Sequence, residues 1–114
     1  MRKYEFKPWG SFINILDEKY TKVKKFVIKP GESPSYQYHY KRSEIWVIVK
    51  GTAEVKLDGE GKTYGQGDVI HIPVKSKHQA KNVGDDDLVF IEVQLGEYFG
   101  EDDIVRLEDK YGRV

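Results

Sequence analysis

From Gly10 onward the chain is cut into short stretches in which apolar residues alternate with polar ones or run together for a few positions, each closed by glycine, proline or asparagine. "AEVKL" at Ala53–Leu57 is the cleanest alternation, while "EIWVIVK" and "LVFIEVQL" carry the longer apolar runs. A side-chain period of two, in β-branched and aromatic residues, marks strands with one buried face. The pattern predicts eight strands: Gly10–Leu16, Lys22–Lys29, Ser35–His39, Glu44–Lys50, Ala53–Leu57, Val69–Ile72, His78–Asn82 and Leu88–Leu95. Turns are expected at "KPGE", "LDGEGK", "YGQGD" and "NVGDDD", where glycine, proline, asparagine and aspartate supply the needed backbone conformations. Short strands at this spacing predict an all-β sandwich or barrel, and eight of them suit a jelly roll.

The rhythm changes near the C-terminus. Glu101, Asp102 and Asp103 stand ahead of Ile104, Val105 and Leu107, an order that suits the first turn of a helix, whose N-terminal dipole favours anions. A short C-terminal helix or turn is expected there.

Composition narrows the function. A chain of 114 residues has room for one core, so a single domain over residues 1–114 is expected. Lys plus Arg balances Asp plus Glu at 19 each, which leaves no overall field to draw nucleic acid or an anionic membrane; neither is an expected partner. Lys22, Lys24 and Lys25 are accordingly expected on a solvated strand edge. With no cysteine, disulfides, thiolate metal sites and a cysteine nucleophile are all excluded, and any metal must take nitrogen and oxygen ligands. No apolar run is long enough to span a bilayer and "MRKYEFKPWG" has no apolar leader, so a cytoplasmic location is expected.

The candidate chemistry sits in "GESPSYQYHYKRSEIWVIVKG", which holds one of only three histidines. Gln37 and His39, two apart on a strand, share a face; Tyr36 and Tyr38 take the other. Glu44 follows the polar turn Tyr40–Ser43, and a hairpin would bring its carboxylate beside the imidazole. These residues alone fit either a metal site or the polar face of an edge strand. A second segment, "GDVIHIPVKSKHQAKN", adds His78.

Taken together, Gly31, Gln37, His39, Glu44 and Gly51 resemble the first cupin motif, and Gly67, Pro73, His78 and Asn82 the second. Gln37 stands where many cupins have their first histidine, and Lys75 where the second motif usually has glycine. The resemblance implies a cupin fold, that is, a double-stranded β-helix or jelly-roll β-barrel. It also implies one divalent metal ion (Zn, Mn, Co, Ni or Fe) on Gln37, His39, Glu44 and His78, with coordination positions left open for water or substrate.

Lys7-Pro8-Trp9-Gly10, "VKKFVIKPGE", "QYHYKRSEIWVIVKGTAEVKLDGE" and above all "IEVQLGEYFGEDDIVRLEDKYGR" are further similar to type II mannose-6-phosphate isomerase. In that family this domain is commonly the C-terminal part of an enzyme whose N-terminal part is a mannose-1-phosphate guanylyltransferase. The resemblance implies interconversion of mannose 6-phosphate and fructose 6-phosphate, a sugar-phosphate ligand and a homodimer. Arg42 matches the family arginine two residues before the metal-binding glutamate and is expected to bind phosphate or an oxyanion, against the alternative of a solvated turn arginine. The proton-carrying base is not assigned by the resemblance. His71, which shares a face with Val69 in "DVIHIP", is the candidate, against a strand histidine that packs on aromatics or faces out.

Arg106 and Arg113 are expected either over the mouth of the site or on the surface. Trp9, Trp46, Phe90 and Tyr98 are expected to be core or interface aromatics. Tyr40 and Lys41, Ile45 and Gln79 depart from the family pattern, where histidines and an arginine stand. Two other functions remain open at this point: a non-catalytic sugar-binding module, and a metal cupin acting on another small molecule, such as an iron oxygenase with two histidines and a carboxylate.

Overall fold

The computed structural model describes residues 3–108. Eleven strands are present among them: β1 (Tyr4–Lys7), β2 (Gly10–Asp17), β3 (Thr21–Ile28), β4 (Tyr36–His39), β5 (Arg42–Lys50), β6 (Ala53–Leu57), β7 (Glu60–Tyr64), β8 (Val69–Ile72), β9 (His78–Asn82), β10 (Leu88–Gly96) and β11 (Ile104–Glu108). They form two antiparallel sheets, one six-stranded in the order β1-β2-β3-β10-β5-β8 and one five-stranded in the order β11-β4-β9-β6-β7. The all-β expectation holds, and the eight expected strands appear with ends shifted by two residues at most. Among the described residues no helix is long and apolar enough to cross a membrane.

Three strands escaped the sequence pattern. β7 is exposed along most of its length and carries no apolar alternation; it exists because Asp58 (φ 47°) and Gly59 (φ 90°) make a two-residue turn that folds it back on β6. Left-handed conformations at both turn residues match the twist of a hairpin, and Asp-Gly supplies them cheaply. β1 is an equally exposed edge strand. The third, β11, decides between the expected helix and turn: Glu101–Asp103 form a single 3-10 turn, and the β-branched Ile104 and Val105 that follow open a strand paired with β4.

The core lies between the sheets. β5 buries Arg42, Glu44, Trp46 and Ile48 in strict alternation, and β10 buries Leu88, Phe90, Glu92 and Gln94. Across the strands these positions make rows. Ile48, Phe90, Phe26 and Phe12 lie in one register row across β5, β10, β3 and β2, with Phe26 and Phe90 stacked at 5.0 Å between centroids. The next row, Trp46–Glu92–Lys24–Asn14, is polar at three of its four positions, and the one after pairs Glu44 with Gln94. One face of one sheet thus passes from apolar to polar along its strands. The apolar end supplies stability, each fully buried Ile or Phe contributing about 1.5–3 kcal/mol, and the polar end faces a cavity.

The placement of Lys24 corrects the expectation of a solvated edge. β3 lies inside the sheet between β2 and β10, and Lys24 is buried, with its ammonium 4.6 Å from the Phe12 ring centre. Tyr98, expected among core or interface aromatics, is not in the core: it is exposed in the loop after β10, where it bonds Asp102 and lies under the Lys41 ammonium.

Candidate metal centre

Three strand ends converge on one point. His39 closes β4, Glu44 lies near the start of β5, and His78 opens β9. All three side chains are buried, and their ligand atoms lie within 4.8 Å of one another, a group able to hold a metal ion. His39 Nε2 is 3.3 Å from Glu44 Oε2, and His78 Nε2 is 3.7 Å from Glu44 Oε1. Gln37 pairs directly with His78 across β4 and β9 and lines the same cavity, so all four expected ligands are brought together.

The surroundings fix how each ligand presents itself. His39 Nδ1–H donates to the Asp103 carbonyl at 3.3 Å, and His78 Nδ1–H donates to the Ser76 carbonyl at 2.9 Å. A histidine whose Nδ1 carries its hydrogen into a backbone carbonyl offers the Nε2 lone pair, the form a metal takes. Each carbonyl is itself held. The Asp103 carboxylate accepts from the backbone N–H of Tyr40 and of Lys41, at 3.1 and 3.0 Å, which locks the turn between β4 and β5 to the C-terminal segment. The Asp58 carboxylate accepts from Ser76 Oγ and the Lys77 N–H, which braces the loop ahead of His78.

The charges agree with this arrangement. Burial alone would raise the Glu44 carboxyl, but the hydrogen bond with His39 and the charges of His78 and Arg42 hold it well below the usual carboxylate range. Burial pushes the His78 imidazole down against the pull of Glu44, so the ring is neutral near pH 7. One ionised carboxylate and neutral imidazole form a ligand set of the right protonation.

Arg42 is not in a solvated turn. It is the first residue of β5 and buried, with Nε donating to Glu44 Oε2 at 3.0 Å and Nη2 lying 3.2 Å from His39 Nε2. Trp46 Nε1 donates to the other Glu44 oxygen at 3.0 Å. The centre opens into a cavity of about 340 Å³ between the sheets, whose walls include Lys24, Glu92 and Gln94 from the six-stranded sheet and Arg106 from β11. Of the two tail arginines, Arg106 therefore reaches the cavity, while Arg113 lies outside the described residues. Trp9, Trp46 and Phe90 are core residues whose edges also line it.

His71 does not join the site. Strand alternation on β8 buries Ile70 and Ile72, so Val69 and His71 project outward and are exposed. Lys24 was expected at a solvated edge and Glu92 and Gln94 were not expected in the site, although the signal of the last two was legible: in "LVFIEVQL" they have the same parity as Leu88 and Phe90, which makes them polar residues at core positions. Asp103 carried no comparable signal, since its partners are 62 to 64 residues away. The departures are spread out: Tyr40 is exposed, Ile45 half-buried, and Gln79 lines the cavity while donating to the Pro34 carbonyl at 3.0 Å.

Residues 1–109 match the model of the family described as mannose-6-phosphate isomerase C-terminal. Among relatives, the chain is 44% identical over 114 residues to mannose-1-phosphate guanylyltransferase ManC of Salmonella typhimurium, a match that covers 100% of this chain and 24% of that protein. The chain thus spans about a quarter of the relative's length. Among solved structures, the capsular polysaccharide assembling protein CapF of Staphylococcus aureus superposes with a TM-score of 0.80 at 25% identity, over 95% of this chain and 34% of that one. An RmlC-like cupin of Shewanella frigidimarina superposes with a TM-score of 0.75 at 20% identity, over 89% and 87% of the two chains. The fold is that of the cupins, and the chain belongs to the mannose-6-phosphate isomerase C-terminal family.

Proposed function

We propose that this protein is a metal-dependent sugar-phosphate isomerase that interconverts mannose 6-phosphate and fructose 6-phosphate, with one divalent ion held by His39, Glu44, His78 and Gln37. The observation that carries the proposal is the meeting, in one cavity, of two histidines whose Nε2 atoms converge on one buried carboxylate, with cationic side chains beside them. When bound, the ion would supply Lewis acidity at the sugar's carbonyl end. The donor set, one carboxylate and neutral imidazole with an amide beside them, fits a divalent ion of the borderline class.

The chain's own groups divide the rest of the work by position. Arg42, against Glu44 and His39, serves the carbonyl end, where a permanently charged guanidinium stabilises a developing oxyanion. Arg106 stands opposite Gln37, which in turn stands opposite His78. Two strand spacings, about 10 Å, therefore separate it from the ligand histidine, a reach that suits the phosphate at the far end of an open-chain hexose. Arg106 Nε and Trp9 Nε1 are buried donors with no hydrogen-bond partner among the described residues, and a phosphate or sugar oxygen would satisfy them.

A second reading has its own support. The Arg42 guanidinium already neutralises Glu44 and contacts His39, so the cluster is electrostatically complete as a sugar-binding site without turnover. A coupled assay separates the two. Chelator-stripped protein should recover isomerase activity with one of Zn, Mn, Co, Ni or Fe, and His39→Ala should abolish it. Protein that binds metal and fructose 6-phosphate yet never turns over would establish the binding module instead.

A further inference from the structure

The cavity wall carries one acid–base pair that neither the metal centre nor the phosphate contacts use. Glu92 on β10 and Lys24 on β3 face each other in the antiparallel register, both buried and both on the cavity side. On the other flank Glu92 stands opposite Trp46, whose Nε1 bonds the ligand Glu44. Gln94 Nε2 donates to Glu92 Oε1 along the strand, and among the described residues the Gln94 Oε1 atom is left as a buried acceptor without a partner.

Moving a hydrogen between two carbons requires a group that can lose and regain a proton beside them. Among the described cavity residues the choice is narrow. His39, His78 and Glu44 are taken as ligands, arginines stay charged at every working pH, and Glu5 and Lys7 lie on the exposed edge strand β1. His71 is outside the cavity altogether.

We propose that Glu92 carries the hydrogen between C1 and C2 of the sugar, and that the Lys24 ammonium facing it holds its carboxyl group in position. The assignment rests on the isomerase reading above. From the aldose, the Glu92 carboxylate takes the proton on C2; the C2–H electron pair becomes the C1=C2 bond and the C1=O pair moves onto O1, giving an enediolate whose negative charge moves to O2 as the O2 hydroxyl proton passes to O1. Return of the proton from Glu92 to C1 re-forms a carbonyl at C2, and every atom is accounted for with no co-reactant. Gln94 Oε1 is free to accept from a sugar hydroxyl beside the reacting carbons.

The electrostatics suit the task. Burial, with repulsion from Glu44, pushes the Glu92 carboxyl up to about 8, while Lys24, Arg42 and the Gln94 amide favour its ionised form. A carboxylate of that basicity is a stronger proton acceptor than an ordinary one.

The test uses E92Q, E92D and K24M beside the wild type. Four quantities are read: metal content, calorimetric binding of fructose 6-phosphate, kcat, and incorporation of solvent deuterium at C1 or C2. E92Q is expected to bind metal and fructose 6-phosphate within about twofold of wild type, to lose about 100- to 10,000-fold in kcat, and to incorporate no deuterium. E92D, with the charge kept and the reach shortened, is expected to retain part of kcat with KM unchanged; should E92Q not fold, this variant decides. K24M is expected to displace the kcat–pH profile to higher pH, a change that a packing role alone would not produce. Wild-type kcat in E92Q or E92D overturns the assignment and leaves the isomerase standing, as does loss of metal from E92Q, which would make Glu92 a structural support. A wild type that binds fructose 6-phosphate but turns over with none of the five metals overturns both.

Discussion

The backbone carbonyl of Asp103 accepts the Nδ1 hydrogen of His39 across 64 residues of sequence, while the carboxylate of the same residue ties down the two backbone N–H groups that follow His39. One residue thus orients a candidate ligand from two directions. Asp103→Ala removes both carboxylate bonds and frees the turn that carries the carbonyl's partner. Loss of such an orienting group is expected to weaken metal affinity about 10- to 100-fold, measured by competition with a chromogenic chelator, with a stability loss of about 1–2 kcal/mol for the two backbone groups left unmet.

Glu44 anchors a buried cluster of charge, so its removal should hurt even without metal. E44Q leaves the Arg42 guanidinium buried without its counter-charge, and a loss of about 3–5 kcal/mol is expected in urea unfolding of the chelated protein. The double variant R42M/E44Q, which removes both charges together, should recover much of that loss. Equal destabilisation of the single and double variants would show that the pair is not electrostatically coupled.

Glu92 makes the metal-free protein sensitive to base. Its folded pKa of about 8 lies above the ordinary 4.5, so between these values the folded state holds a proton that the unfolded chain has shed. The associated stability is present in full below pH 4.5 and is lost as the pH rises through about 8. Between pH 7 and pH 9 the wild type should lose about 1 kcal/mol of unfolding free energy that E92Q does not lose. Glu44, whose pKa is lowered, acts in the opposite sense, contributing stability above the ordinary carboxylate value that is lost in acid.

Lys75 sits at φ 69°, in the left-handed region, with its N–H donating to the His39 carbonyl at 2.8 Å. A non-glycine residue there costs about 1–2 kcal/mol, of which glycine's greater freedom in the unfolded chain takes back about 0.5–1. Lys75→Gly is therefore expected to raise stability by about 0.5–1 kcal/mol, visible as a higher denaturation midpoint with no change in slope. Gly51 gives the converse case: at φ 94°, with an added Cβ 3.0 Å from the Asp87 carbonyl oxygen, Gly51→Ala should destabilise.

Much of this was legible because it is local. Alternation places the eight principal strands, and the spacing His39–Glu44 with a distant His78 is enough to bring three candidate ligands to one point, with Gln37 lining the same cavity. Even the departure at Lys75 was readable as a turn that wants glycine, and the backbone there is left-handed. What escaped was set by pairing. β11 follows residues that suit a helix start and is a strand only because β4 offers it a partner. Lys24 looks like one of three surface lysines until β2 and β10 enclose its strand. The parity of Glu92 and Gln94 could be read from the sequence, but that the two face a cavity and not a solid core depends on the opposing sheet.

The dependence of His39 on Asp103 also sets an order of events in synthesis. A chain emerging from the ribosome exposes Gln37, His39, Glu44 and His78 well before Asp103 and Arg106 have been made. Until β11 docks beside β4, the His39 ring lacks the Asp103 carbonyl that holds its tautomer. β11 therefore acts as a latch in time as well as in space: the carbonyl that orients His39 joins the site only after residue 103 has been made and β11 has paired with β4.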